Sequence, residues 1–342
     1  MRNWWKYLTV ILLLYTIVFA LYTPLKPGIS GTSVQTLKTH TNNDVTLYGY
    51  NTDFEKFTSG KKWKVFIQID GFKSYSTNIE IKSKKEIRFN LDLPSNVSNK
   101  LAHLIVEYEE GHLVLPNAFN IVTEENFVTD TLKKNENELV GLENVNVFGF
   151  PNRAILNESI RNLMFHVPMW FAMMLLFTIS IVYSVKYLSS FHLNHDIIAK
   201  QAINVGILLG ILGLATGSLW ARFTWGNWWT NDVKLNGAAI TTLVYLAYAV
   251  LRGSINEEQQ RAKISAVYNI FAFVIMIVML MVLPRMTDSL HPGSGGNPAF
   301  SSYDLDSTLR MVFYPAVLGW MGISLWLLQI RTRIDKIENS LL

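Results

Sequence analysis

Six apolar stretches of near-bilayer length dominate this 342-residue chain and leave few folds open to it. They run over residues 5–22, 167–187, 202–219, 238–251, 266–283 and 311–330. Hydrocarbon provides no partner for a backbone N–H or C=O, so a spanning segment must satisfy both within itself, and each stretch is expected to be a helix. The fourth is the shortest, and its helix is expected to start nearer residue 235. Half of all residues are hydrophobic and only 16% are charged, the balance of an integral membrane protein. The stretches themselves lack the buried acidic and basic residues that line an ion path, which argues against a transporter.

Lysine and arginine set the expected orientation, because cytoplasmic loops retain them. With the N-terminus inside, Arg2, Lys6, Lys186, Lys200, Arg252, Arg261, Lys263, Arg331, Arg333 and Lys336 are cytoplasmic, against Arg161, Arg222, Lys234, Arg285 and Arg310 outside. Both termini are therefore expected inside a bacterial inner membrane, with residues 332–342 as a cytoplasmic tail. No small-x-small cleavage pattern follows the first stretch, so residues 1–22 are expected to stay as a transmembrane anchor. The chain has no cysteine, which removes disulfides, thiolate metal sites and any thioether bond from this chain to a cofactor.

Between the first two stretches, residues 23–160 form a polar insertion large enough for one domain. Alternating runs at 45–50, 63–69, 78–82, 86–91, 104–108 and 119–122 are separated by turn signals such as Asp70-Gly71 and Glu110-Gly111. That spacing predicts an all-β, sandwich-like domain of an immunoglobulin-like kind. It carries 15 Lys+Arg against 17 Asp+Glu, so the net charge of +4 belongs to the rest of the chain and gives no electrostatic reason to expect nucleic acid. His40, His103 and His112 are scattered among unlike neighbours and are expected to be structural or merely exposed. Residues 123–144 are acidic and amide-rich and are expected to connect back to the membrane. The insertion is expected on the periplasmic side as a docking or shielding module, and residues 161–331 as a five-helix membrane domain.

The connection between the third and fourth stretches concentrates chemistry. Trp225, Trp228 and Trp229 fall within five residues and are followed by Asp232. So much indole at a membrane surface makes either an interfacial belt or a flat platform for a planar ligand such as a porphyrin. On the same expected side, His166 opens the second stretch and His291 follows the fifth. Pro168 is expected in the first turn of its helix, where the missing N–H costs nothing. Two neutral imidazoles can ligate haem iron from its two faces, or can simply bind loop carbonyls at the interface. Arg161, Arg222 and Arg285 stand near these elements and suit either the carboxylate arms of such a ligand or lipid headgroups. Asp232 can orient a histidine, bind a cation or cap the helix that follows. His192 and His195 form an H-x-x-H pair in an expected cytoplasmic connection, incomplete as a metal site with only Asp196 nearby. Gly206, Gly210, Gly213 and Gly217 predict close helix approach along the third stretch.

Together these residues resemble CcmC, a family of haem-handling membrane proteins. Residues 161–170, with His166-Val-Pro168, are similar to the family's first-histidine motif. Residues 213–220, followed by Trp225-Gly-Asn-Trp-Trp229 and Asp232, resemble its tryptophan-rich motif, and His291 matches its second histidine by position before the last helix. The resemblance runs over residues 162–330 and the first helix; the large insertion is not part of the usual pattern. Asn231 stands where the family usually has a further tryptophan, and Lys234 and Asn236 where it usually has arginine and threonine.

The resemblance implies a six-helix haem-delivery protein of cytochrome c maturation that holds non-covalent haem b on the periplasmic face. His166 and His291 would be the axial ligands, with Trp225, Trp228, Trp229 and Asp232 as the platform. The implied partners are a CcmE-like haem chaperone, CcmA- and CcmB-like ABC-transporter subunits, a CcmD-like small protein and membrane lipid. Arg161, Arg222 and Arg285 as propionate partners rest on nearness in sequence instead. Because the covalent bond would form on the chaperone, haem-lyase-like activity of this chain stays open. A CcsA-like synthase, which attaches haem directly to Cys-x-x-Cys-His peptides, shares the tryptophan motif but carries further histidines inside its helices, which these stretches lack. A membrane-anchored receptor or assembly scaffold using the β-domain is the reading from another class, and it expects a colourless protein.

Overall fold

The computed structural model describes residues 3–39, 41–58, 63–69, 72–93, 100–108, 111–122, 148–153, 156–291 and 305–341. His40 and residues 123–144 lie outside them. The chain divides into two compact units, one of Met1–Tyr22 with Glu158–Leu342 and one of Thr23–Asn157.

The first unit is helical: α1 (Trp4–Tyr22), α2 (Leu163–Ser190), α3 (Leu193–Trp225), α4 (Val233–Gly253), α5 (Glu258–Ile277), α6 (Leu283–Met286) and α7 (Ser307–Leu341). Among the described residues, six helical segments are long and apolar enough to cross a membrane, with α5, a π turn at Val278–Val282 and α6 forming one of them. Several helices outrun their apolar stretches, because intrahelical hydrogen bonding continues into the polar ends. α4 starts at Val233, α3 takes in His195, Asp196 and Lys200, and α7 runs on through the expected tail as far as Leu341. A 3-10 turn at Asn157–Asn162 leads directly into α2, so Pro168 is the sixth residue of that helix and not part of its first turn. Its ring removes the helical donor to the Met164 carbonyl.

Lipid is as apolar as leucine, so helix association depends on close packing and on polar contacts rather than on hydrophobic drive. Phe177 of α2 stacks on Tyr245 of α4 with centroids 3.6 Å apart. Gly206 of α3 admits the Phe177 ring, since a β-carbon there would stand 2.3 Å from its edge. Gly213 does the same for Trp170, at 2.8 Å. Buried Asn269 of α5 donates to Ser180 (3.0 Å) and Ser184 (2.9 Å) of α2. Arg252 of α4 makes a two-pronged pair with Asp196 of α3 at 2.8 and 2.5 Å, both side chains nearly buried. Asp335 of α7 accepts from Lys200 (2.9 Å) and Gln201 (2.8 Å) of α3. The apolar stretches are free of these charges, but the extended helices are not, and it is their ends that the ion pairs join.

The second unit is a β-sandwich. Its strands are β1 (Gly28–Thr32), β2 (Thr36–Lys38), β3 (Asn42–Tyr50), β4 (Lys64–Ile69), β5 (Phe72–Tyr75), β6 (Thr77–Ser83), β7 (Glu86–Asp92), β8 (Leu101–Tyr108) and β9 (Gly111–Val122). They form sheets of order β1-β3-β7-β6 and β2-β9-β8-β4-β5. Inward residues of both sheets, among them Val45, Leu47, Phe89, Ile67, Leu104 and Phe119, make one buried core. The order is that of an immunoglobulin-type sandwich, with the first strand split so that β2 crosses to pair parallel with β9. β1, β2 and β5, the strands outside the alternating runs of the sequence, are only five, three and four residues long. His103 accepts the Asn117 backbone N–H at 3.1 Å beside a register shift, a structural role.

The Asp196–Arg252 pair yields a stability prediction. Asp196→Ala is expected to leave the guanidinium buried without its carboxylate and to cost about 3–5 kcal/mol. Asp196→Leu combined with Arg252→Met is expected to recover most of that loss, as read by thermal unfolding of the parent and the two variant proteins in nanodiscs.

Candidate functional site

Short connections make α2, α3 and α4 successive antiparallel neighbours. The first turns of α2 and α4 therefore share one end of the bundle with the last turns of α3 and α6. His166 sits there on α2, with Nδ1 3.1 Å from the hydroxyl of Thr216 on α3. That hydroxyl has a single proton, which faces the carbonyls of Leu212 (2.9 Å) and Gly213 (3.1 Å) one turn back. With that proton on either carbonyl the hydroxyl accepts from the ring, the tautomer that puts the imidazole proton on Nδ1 and the lone pair on Nε2. Gly217 lets the ring lie this close to α3, since a β-carbon there would stand 2.6 Å from Cε1. Trp170 and Trp220 meet the ring at steep angles, 77° and 81°, with centroids 6.2 and 5.8 Å away. Trp220 is itself held by its indole N–H on Ser159, at 3.1 Å.

His291 follows α6 and is oriented by Asp232, the N-cap of α4. Its Nδ1 lies 3.1 Å from Asp232 Oδ1, which also accepts the Lys234 (2.9 Å) and Leu235 (3.3 Å) backbone N–H groups. The other carboxylate oxygen accepts the Ser289 hydroxyl (2.7 Å) and the Leu290 N–H (2.8 Å). Burial by itself raises the Asp232 carboxyl, but the bonds from Ser289 and Leu290, His291 and the Lys234 N–H outweigh it and hold the group below its ordinary 3.8. Burial likewise lowers His291 below its ordinary 6.5, with Asp232 opposing and Lys234 assisting. At neutral pH the pair is thus carboxylate and neutral imidazole. An ionised carboxylate only accepts, so the His291 proton is on Nδ1 and its lone pair on Nε2. The two imidazoles are near enough to each other for their charges to interact.

The tryptophan run is shorter as a loop than its sequence implies. Trp225 is the last residue of α3 and residues 233–236 belong to α4, leaving 226–232 to turn the chain. Gly226 ends α3 at φ 79°, a left-handed conformation that favours glycine. Trp225 meets the His291 ring nearly edge-on, with centroids 4.9 Å apart. Trp228 and Trp229 are 57% and 42% exposed, while Asp232 is buried beneath the loop and contributes no surface to a platform. The indole N–H of Trp229 donates to Asn236 (3.3 Å), whose amide donates to Asn231 (2.7 Å). The positions that depart from the family pattern thus hold one another and Trp229.

The arginines are less convergent. Arg161 binds Glu158 and the Ala20 carbonyl, each at 2.6 Å, and Arg222 donates to the Gly226 carbonyl. Arg285 is exposed on α6. His192 occupies the N-cap position of α3 without a side-chain capping bond, and His195 lies within the helix against Ser190 at 3.0 Å; no group of three metal-ligating side chains forms among the described residues. Thr216 and Ser289 carry no sequence signal that marks them as partners of His166 and Asp232. Fifty residues separate His166 from Thr216, and only the α2–α3 pairing joins them.

Six membrane-length helices, with two oriented histidines and a tryptophan loop at one end, define a multi-pass membrane protein. The family model CcmC, Heme exporter protein C, matches residues 128–341, and the chain belongs to that family. It is similar to Heme exporter protein C of Paracoccus denitrificans, 26% identical over 191 residues, or 55% of this chain and 79% of the relative. The Rhodobacter capsulatus protein of the same name is 27% identical, with the same coverage of each chain. Cytochrome c biogenesis protein CcsA of Prochlorococcus marinus is 36% identical over 100 residues, 28% of this chain and 31% of that one. Residues 23–122, which contain all nine strands, lie outside the family match.

Asp232 has two separable tasks, and substitution can part them. Asparagine still caps a helix, so Asp232→Asn is expected to cost a few tenths of a kcal/mol in cap stability, whereas Asp232→Ala costs about 1 kcal/mol. Both are expected to loosen His291, seen as faster acylation of that ring by diethyl pyrocarbonate and read by mass spectrometry against the unchanged labelling of His192.

Proposed function

We propose that this protein holds haem b non-covalently at the outer face of a bacterial inner membrane, between His166 and His291, and passes it to a haem chaperone in cytochrome c biogenesis. The observation that carries the reading is the matched anchoring of the two imidazoles. Each has its Nδ1 proton committed to a neighbour, Thr216 or Asp232, and so carries its lone pair on Nε2. Neutral imidazoles with an oriented Nδ1 partner are the donors a haem iron takes, and tryptophans beside both rings supply apolar faces for a porphyrin. The residues therefore fit the group. When bound, haem supplies the iron and the vinyl groups on which its later covalent attachment depends.

What the chain itself does is position. His166 and His291 set the iron, and Trp225 backs the His291 ring. Trp228 and Trp229 give an exposed indole surface on which a partner can read the porphyrin edge. Arg285, exposed after the π turn, is the best placed of the three arginines for a propionate. In this reading the N- and C-termini are cytoplasmic and the sandwich is periplasmic, where it adds docking area. CcmA-, CcmB- and CcmD-like subunits would complete the assembly. Direct attachment to Cys-x-x-Cys-His peptides is the second reading, favoured by the similarity to proteins named CcsA over 100 residues.

The reduced-minus-oxidised visible spectrum of the purified protein tests the first reading. A b-type signal is expected, reduced at least tenfold in His166→Ala and in His291→Ala. A colourless protein after expression with ample haem overturns it. Covalent haem on an added Cys-x-x-Cys-His peptide, with no chaperone present, decides for the second.

A further inference from the structure

The two histidines are held by partners of different chemistry. His291 donates from Nδ1 to Asp232, a buried carboxylate with a full negative charge. His166 donates to the hydroxyl of Thr216, a neutral dipole whose own proton faces the carbonyls of Leu212 and Gly213. The Thr216 hydroxyl is thus a neutral acceptor for His166, in contrast to the Asp232 carboxylate that holds His291. A carboxylate on Nδ1 draws the proton away from the ring and makes Nε2 a stronger electron donor, whereas a hydroxyl or a carbonyl does so far less.

We propose that Thr216 and Asp232 make the two imidazoles unequal ligands, so that His291 is the retained anchor and His166 the one that gives way to an incoming donor. The inference rests on the haem-holding reading above and adds direction to it. Exchange then happens on the α2–α3 side of the site, where Thr216 is the positioning residue that sets how readily His166 leaves. The step is a ligand substitution: the coordinate bond from His166 Nε2 breaks as one from the incoming donor forms, with no electron transferred and the Nδ1 proton staying on the ring.

The geometry gives Thr216 more than one hold on the ring. Asn162 donates to the Thr216 backbone carbonyl at 3.0 Å, which ties the residue just before α2 to the turn of α3 that carries the hydroxyl. Gly217, the next residue along, provides the surface against which the ring rests. Loss of the hydroxyl alone therefore leaves the pocket in place and removes the bond to the ring together with the hydroxyl's own bond to the helix carbonyls one turn back. Asp232→Asn also keeps its helix cap while removing the charge. Each substitution is thus confined to one ligand.

The test uses the full-length haem-loaded protein in nanodiscs, reduced with dithionite and mixed with carbon monoxide at saturating concentration. The rate at which carbon monoxide replaces the bis-histidine spectrum reports dissociation of whichever histidine leaves. Thr216→Val is expected to raise it about tenfold, Thr216→Ser to keep it within twofold of the parent, and Asp232→Asn to change it less than threefold. A second measurement reads donor strength directly, as the iron–histidine stretching frequency of reduced five-coordinate haem. It is expected to be higher in His166→Gly, where only His291 remains, than in His291→Gly, and to fall when Asp232→Asn is added to His166→Gly. A larger acceleration in Asp232→Asn than in Thr216→Val, or equal stretching frequencies in the two glycine variants, overturns the inequality while leaving haem holding intact. Absence of haem from the parent protein overturns both.

Discussion

A buried carboxylate organises the end of the bundle that matters. Asp232 accepts from five donors, the backbone N–H groups of Lys234, Leu235 and Leu290, the Ser289 hydroxyl and the His291 ring. A charge taken out of water is tolerable only if its lone pairs are satisfied, and here satisfying them joins three pieces of chain. The first turn of α4 is capped, the segment after α6 is pulled against it, and His291 is fixed in one tautomer. The tryptophan loop is caught between this anchor and the left-handed Gly226 at its other end. A seven-residue connection held at both ends can leave Trp228 and Trp229 exposed without losing their position.

The membrane helices were legible because hydrocarbon leaves a spanning chain only one local solution, and six apolar stretches correspond to six long helices. Their limits were not, since helices follow backbone hydrogen bonds past the apolar core. That is why Asp196 and Lys200 lie in α3 rather than in a loop, and why Pro168 lies inside α2. In the sandwich, the alternating strands were visible and β1, β2 and β5 were not, because short or non-alternating strands carry little periodicity. The candidate site was legible in its chemistry-bearing residues: His166, His291, the tryptophans and Asp232 are rare types in tight spacing. It was illegible in Thr216, Trp170 and Trp220, whose relation to His166 exists only once helices pack. The arginines show the opposite failure, since nearness in sequence to His166 and Trp225 says nothing about Glu158, Ala20 or Gly226, the groups that Arg161 and Arg222 bind.

Departures from the family pattern are informative when the structure supplies their partners. Asn231 and Asn236 replace a tryptophan and a threonine, yet they bond to each other and Asn236 takes the Trp229 indole N–H. That bond gives the Trp229 indole a fixed direction. An amide pair at an exposed edge is also easier to wet than a further indole.

The two ends of the helical unit follow different electrostatic rules. At one end Asp196 with Arg252, and Asp335 with Lys200 and Gln201, lock α3 to α4 and to α7 through charges that satisfy one another. Such contacts close a bundle, because each partner would be costly to leave alone. At the other end the buried carboxylate of Asp232 is balanced by neutral donors, and the two imidazoles stand beside half-buried tryptophans, Trp170, Trp220 and Trp225. Neutral contacts can be made and broken without stranding an ion. The helices are thus clamped by paired charges at one end and joined by neutral contacts around one carboxylate at the other.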